Sequence, residues 1–470
     1  MLKVFFVLSS FIICQVLSEI RLLYGLIGEG FVSPFELDSL NEDLFGERWE
    51  EPGELTPSGM RQMYILGHRD QLSYQELLSK QYNPNEIKMR SAYYNDTFVQ
   101  AQSYFSGLFP YLTGPNLSGY QRNVAYPPQG KLGYGNFDQE LFGPAALPNN
   151  NNPANFEITS DMEFKFGFLY GTENYCKPLV KLNAENIKLN STRAILSQIK
   201  DRFGSQLKEA LRLPSLDSLD DFDLVYTIME QFLQGFNVRK LHKRLTDVGI
   251  DLSELNKTAI QFMNYSDYEV YNNHPNEDEL KVNYVFSTYA NEMQNFFDLK
   301  LDLDVKGLEY NKENLPPKIT LNHVPKSVIS SLLKALNLHL KTKMDYVKYA
   351  SSLYFEFTRP DNLDNTKLGY NDYFVNIYLN DERLITVNYK TLRDIFDDAW
   401  SERRARWNCD LNPFETWGFQ NAAITLGVLL GVVCVACLVL LCMICLGDNK
   451  NELQEEDKPK DTEKNEKIVA

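Results

Sequence analysis

The stretch "GLIGEGFVSPF" (25–35) has a shape suited to chemistry, because an apolar run ends in a glycine turn that holds Glu29 between Gly28 and Gly30. An arginine and a histidine before the second glycine would make it a nucleophile loop, with the histidine attacking and the guanidinium holding the anion. Those two places hold Gly28 and Glu29, and the dipeptide Arg-His occurs nowhere in the chain. A carboxylate such as Glu29 can accept a phosphoryl group, but that chemistry needs metal or cationic support. His68, His242, His274 and His339 show no ligand spacing, and His68 is expected on a helix surface. No metal and no cofactor are expected. Five N-x-S/T sequons, at Asn95, Asn116, Asn190, Asn256 and Asn264, offer modification sites of the kind a secretory ectodomain carries.

The elements that must position this loop are legible from period and punctuation. "IRLLYGLI" (20–27) is an apolar strand leading into the turn. "TPSGMRQMYILGHRDQL" has Thr56 as N-cap and Pro57 in the first helical turn. "NEIKMRSA" predicts a second strand, and "NDTFVQAQSYFSGLFP" a helix from Asn95 or Asp96 that stops at Pro110. Residues 111–157, rich in Gly, Pro and Asn, are expected as loop. From about 160 to 297 the period is helical, with no strong strand between. "KITLNH" is a strand and "VPKSVISSLLKALNL" a helix; "YASSLYFEFTRP" and "YFVNIYLNDERL" alternate as paired strands, and 392–407 returns to helix. The pattern predicts an α/β core sheet flanked by helices, interrupted by a mostly helical insertion.

Composition sets the compartment. The chain has 470 residues and a formal net charge of −16, which argues against nucleic acid and anionic lipid as partners. Residues 1–18 read as a signal peptide, with Lys3, an apolar run and Val16-Leu17-Ser18 at the cleavage point. Residues 422–446 carry no charge and, as a helix, span roughly 37 Å, enough to cross a membrane. A leader and one late span predict a single-pass type I protein with a lumenal or extracellular ectodomain. The segments are then 19–150 (first part of the core), 151–300 (helical insertion), 301–410 (second part of the core), 411–421 (linker), 422–446 (span) and 447–470 (charged cytosolic tail). Of seven cysteines, Cys14 goes with the leader and four with the span. The remaining two, Cys176 and Cys409, are expected to form one disulfide. Gly427 and Gly431 have the G-x-x-x-G spacing that would let two spans pair as a homodimer.

Several stretches together resemble the histidine acid phosphatases, branch 2 of the histidine phosphatase superfamily. "GELTPSGMRQMYILGHR" is similar to the family's G-[EQ]-L-T-x-x-G-M-x-Q-x-Y-x-L-G segment, and "RSAYYNDTFVQAQSYFSGLFP" to its R-S-T-x-x-x-R-T-x-x-S-A…LFP segment. "ITLNHVPKSVISSLLKALNL" is similar to S-A-H-D-x-T…LL-x-A-L, and the two late strands to the closing hairpin. The resemblance covers nearly the whole ectodomain, in order, and implies that family's core with an inserted helical cap.

The same resemblance implies a site with its chemistry removed. Where the family has R-H-G-x-R-x-P, this chain has Gly28 for the first arginine, Glu29 for the nucleophilic histidine and Val32 for the second arginine. Asp96 stands for the arginine of the second segment. His323 keeps the second histidine, and Val324 stands for the general acid. Glu29, Asp96 and His323 have the side-chain types of a metal set; His323 is read instead as a residual histidine paired with a carboxylate. The expectation is a membrane-anchored pseudophosphatase with a binding or structural role and an unknown ligand. Two rivals stay open: an active acid phosphatase, and a receptor or adhesion protein that binds a non-phosphate ligand in the old cleft.

Overall fold

The computed structural model describes residues 18–33, 53–79, 82–92, 95–109, 156–159, 184–234, 238–270, 280–306, 317–360 and 369–401. These all belong to the first of two units, Met1–Cys409. The span 422–446, Cys176, Cys409 and Asn116 lie outside the described residues; among the described residues no helix is long and apolar enough to cross a membrane.

The chain enters through β1 (Ser18–Gly28), which becomes the middle of a seven-stranded sheet. The other strands are β2 (Ile87–Ala92), β3 (Phe156–Thr159), β4 (Ile319–Val324), β5 (Ser352–Pro360), β6 (Phe374–Leu379) and β7 (Glu382–Asn388). Their order is β3-β2-β4-β1-β5-β6-β7. β3, β2, β4 and β1 run parallel, and β5 to β7 continue antiparallel. Leu22, Leu23, Tyr24, Leu26 and Ile27 of β1 are all essentially inaccessible. A continuous apolar run is what a strand covered on both faces requires.

Two helical layers do the covering. Leu23 and Ile27 point to the side of α1 (Pro57–Ser73) and α2 (Asn95–Leu108). Those helices touch backbone to backbone: a Cβ on Gly67 would lie 2.0 Å from the Tyr104 carbonyl oxygen, and one on Gly107 1.9 Å from that of Tyr64. Leu22, Tyr24 and Leu26 point to the opposite layer with α7 (Leu280–Lys306), α8 (Lys326–Ala335) and α9 (Tyr389–Ser401). A second core is built by α3 (Asn190–Leu211), α4 (Phe222–Gln234), α5 (Val238–Asp247) and α6 (Leu252–Tyr265) around Ile199, Val225, Met229 and Phe262.

Some elements differ from what the pattern predicts. β3 begins inside the stretch expected as loop; its four residues are too few to show a period, and pairing with β2 is what makes them a strand. α7 starts within 151–300, yet Tyr289, Met293 and Phe297 pack in the core layer rather than with α3–α6. α9 starts three residues early because Asn388 Oδ1 accepts from the Lys390 amide at 3.0 Å, capping the helix there.

Candidate active site

In an open α/β sheet, sites form beyond the carboxyl ends of the parallel strands. The register brings the sequence-derived positions to that edge: Ile27 lies beside His323, Gly28 beside Val324, and Ser91 also beside His323. The turn after β1 is tied down by its neighbours. The Gly28 amide donates to the Ser351 carbonyl at 2.7 Å, and the Ala350 amide donates to the Glu29 carbonyl at 2.6 Å. Thr56, the N-cap of α1, donates its hydroxyl to the Phe31 carbonyl at 2.8 Å and accepts from the Gly59 amide at 3.0 Å. The Phe31 amide donates to Gln62 Oε1 at 2.9 Å. A Cβ on Gly28 would lie 2.9 Å from the Ser351 carbonyl oxygen, so the position that the resemblance assigns to the first arginine has no room for a side chain without a shift.

His323 is fully buried. Gln100 Nε2, 3.2 and 3.1 Å from the carbonyls of Ile27 and Gly28, is the donor end of its amide, and it lies 3.2 Å from His323 Nδ1. Nδ1 therefore accepts, and the ring proton sits on Nε2, which has no hydrogen-bond partner among the described residues. Burial drives the imidazole pKa down to about 3, so it is neutral. The Tyr104 ring meets it edge-on at 5.3 Å. The expected carboxylate partner is thus corrected to an amide: Gln100 reaches His323 because α2 crosses the end of β4. Val324 is fully buried in the apolar layer with Val328 and Leu332, and Val32 packs with Phe31, Leu55 and Tyr349.

The two carboxylates that the resemblance singles out, Asp96 and Glu29, part company. Asp96 is half-buried in the first turn of α2, where burial raises its pKa while its own and the Thr97 amide, both donating to it, oppose the rise. Glu29 lies within electrostatic reach of a cation that sequence reasoning did not single out. Lys326, the first residue of α8, is nearly buried and ion-paired with Glu230 of α4. Its Nζ lies 5.0 Å from the ring centroids of Tyr226 and Tyr349, and the Tyr349 hydroxyl donates to Glu230 Oε2 at 2.8 Å. Burial pushes the Lys326 ammonium below the ordinary lysine range, and the Glu29 charge pulls it back. The available signals were a lysine opening the helix "KSVISSLLKA" and an acid within the largely apolar run "LVYTIMEQF". Among the described residues no group of three or more His, Cys, Asp or Glu is placed to hold a metal.

Arg90, retained from the second segment, is nearly buried and ion-paired with Glu292 of α7, which also accepts from the Tyr24 hydroxyl at 2.8 Å. Of the described sequons, Asn95, Asn190, Asn256 and Asn264 are exposed, although the Asn264 amide donates to the Asp345 carbonyl.

Residues 26–380 match the model of the histidine phosphatase superfamily, branch 2. The chain belongs to that family. A 64-residue stretch is 42% identical to a Caenorhabditis elegans protein with an acid-phosphatase name, acid phosphatase 5, and spans 15% of that protein and 13% of this chain. Among solved structures, the D. castellii phytase is similar with a TM-score of 0.47 at 12% identity, covering 86% of this chain and 85% of that one. The apo Hafnia alvei phytase gives 0.45 at 11%, covering 81% and 97%.

Proposed function

We propose that this protein is a pseudophosphatase: a histidine-phosphatase fold, anchored by one membrane span, used for binding or structure in a secretory, lysosomal or surface compartment. The observation that carries the reading is the state of the phosphate edge. Glu29 stands at the nucleophile position beside a lysine already paired with Glu230. His323 is sealed and neutral under Gln100. A transferring phosphoryl group needs guanidinium forks around its oxygens and an acid for the leaving group. Here a glycine, a valine and an aspartate stand at the three arginine positions, and a valine at the acid's. The acid-phosphatase name of the 64-residue relative favours the other reading, an active phosphomonoesterase. Thermal unfolding of the purified full chain in phosphate, vanadate or tartrate separates the two. No rise in midpoint is expected, and a concentration-dependent rise that disappears in His323→Ala would overturn the proposal.

A further inference from the structure

We infer that Asn95 carries an N-linked glycan that stands over the phosphate edge, so that the chain's own sugar covers the mouth of the cleft. Residues 95–97 read Asn-Asp-Thr, an acceptor sequon. Asn95 is the first residue of α2 and is exposed. Such a glycan presupposes the secretory compartment proposed above.

Asn95 lies at that edge on two counts. Ser91 of β2 is beside His323 of β4, and α2 begins four residues after Ser91. Val99 is one helical turn on from Asn95, on the same face of α2, and it packs against Phe31, Val32, Leu55 and Tyr349. Asn95 therefore stands on the face of α2 that looks over the turn holding Glu29. Being exposed, it directs a substituent outside that apolar cluster rather than into it. Its neighbour Asp96 is half-buried, and Gln100, one turn on from Asp96, donates to the Ile27 and Gly28 carbonyls at 3.2 and 3.1 Å. The other described sequons belong to the cap: Asn190 opens α3, and Asn256 and Asn264 lie on α6.

Transfer replaces one N–H of the Asn95 Nδ2 by a bond to the anomeric carbon of a lipid-pyrophosphate-linked oligosaccharide. The bond from that carbon to the pyrophosphate breaks, the lipid pyrophosphate leaves, and the amide proton goes to a base of the transferase. Thr97, the third residue of the sequon, is buried once α2 is packed, so transfer precedes the packing of this helix. In the folded protein the sugar is bulky and hydrophilic. Held at the mouth, it keeps macromolecular ligands from the edge whatever charges line it.

The test uses the full chain purified from a eukaryotic secretory host, with Asn95→Gln beside it. Glycosidase release in heavy-oxygen water turns each glycan-bearing asparagine into a labelled aspartate, which peptide mass spectrometry reads. Asn95 should be labelled in the wild type, and Asn95→Gln should be smaller by one glycan with an unchanged unfolding midpoint. Carbodiimide coupling of glycine ethyl ester should modify Asp96 severalfold faster in Asn95→Gln than in the wild type. Asp201, exposed on α3 in the cap, should couple equally in both. Enzymatic trimming of the wild-type glycans should raise the Asp96 rate in the same way, with no variant involved. An unmodified Asn95 beside glycans on Asn190 or Asn256 overturns the inference and leaves the secretory placement standing; no glycan on any sequon overturns both. A glycan on Asn95 with Asp96 coupling equally fast before and after trimming also overturns it, since the sugar would then point away from the edge.

Discussion

His323 titrates in a direction that can be measured. Its folded-state pKa is near 3, against about 6.5 for a free imidazole, because burial penalises the cation. Between those values the unfolded chain binds more protons than the folded one. Stability is therefore full above pH 6.5 and is lost as pH falls toward 3. At pH 4.5 the loss from this residue is roughly 2–3 kcal/mol. Asp70 and Asp96, raised by burial, act in the opposite sense, so comparison with a variant isolates the histidine. The drop in urea stability from pH 7 to 4.5 should be smaller in His323→Asn than in wild type; equal drops would contradict the assignment. A second residue-scale prediction concerns Gly28. Placing an arginine here, Gly28→Arg, should destabilise by about 1–3 kcal/mol in thermal unfolding, because its Cβ meets the Ser351 carbonyl. An unchanged midpoint would show that the turn has room. The positions Gly28, Glu29, His323 and Val324 were legible because they sit in contiguous motifs. Gln100, Lys326 and Glu230 were not, since an amide and an ion pair from three distant segments leave no spacing to read.

At the scale of elements, the cap is joined to the core by a buried polar contact. Glu230 on α4 accepts from Tyr349 and pairs with Lys326 on α8. Breaking such a pair strands a buried charge, at about 3–5 kcal/mol, whereas replacing both partners by apolar groups is often near neutral. Lys326→Met alone should lower urea stability by that order, and Lys326→Met/Glu230→Leu should recover most of it. A double variant as unstable as the single one would mean that the pair does more than compensate its own burial. The helices and strands themselves follow from local signals: Thr56 before Pro57 starts α1, and the alternation in "FVNIYL" appears as alternating burial in β6. The exceptions have tertiary causes. β3 exists through its pairing with β2, and α7 belongs to the core layer because Met293 and Phe297 find partners there, something no helical period declares.

At the scale of the whole molecule, the family scaffold is present, and on the proposed reading it persists without the charges that give such a site its chemistry. The sheet needs β1 apolar on both faces, the α1–α2 contact needs Gly67 and Gly107, and the turn after β1 needs Thr56 and Gly59 beneath it. None of these requirements involves a nucleophile or a general acid, so the architecture can be kept while the phosphate edge changes. Replacing a nucleophile in a well-studied protease costs on the order of a millionfold in kcat, and on the proposed reading the nucleophile, the acid and three arginine positions are all replaced. The central claim is tested by hydrolysis of an aryl phosphate by the purified full chain between pH 4 and 7, beside His323→Ala. The account predicts no turnover above the buffer blank in either protein. Turnover by the wild type that vanishes in His323→Ala would contradict it.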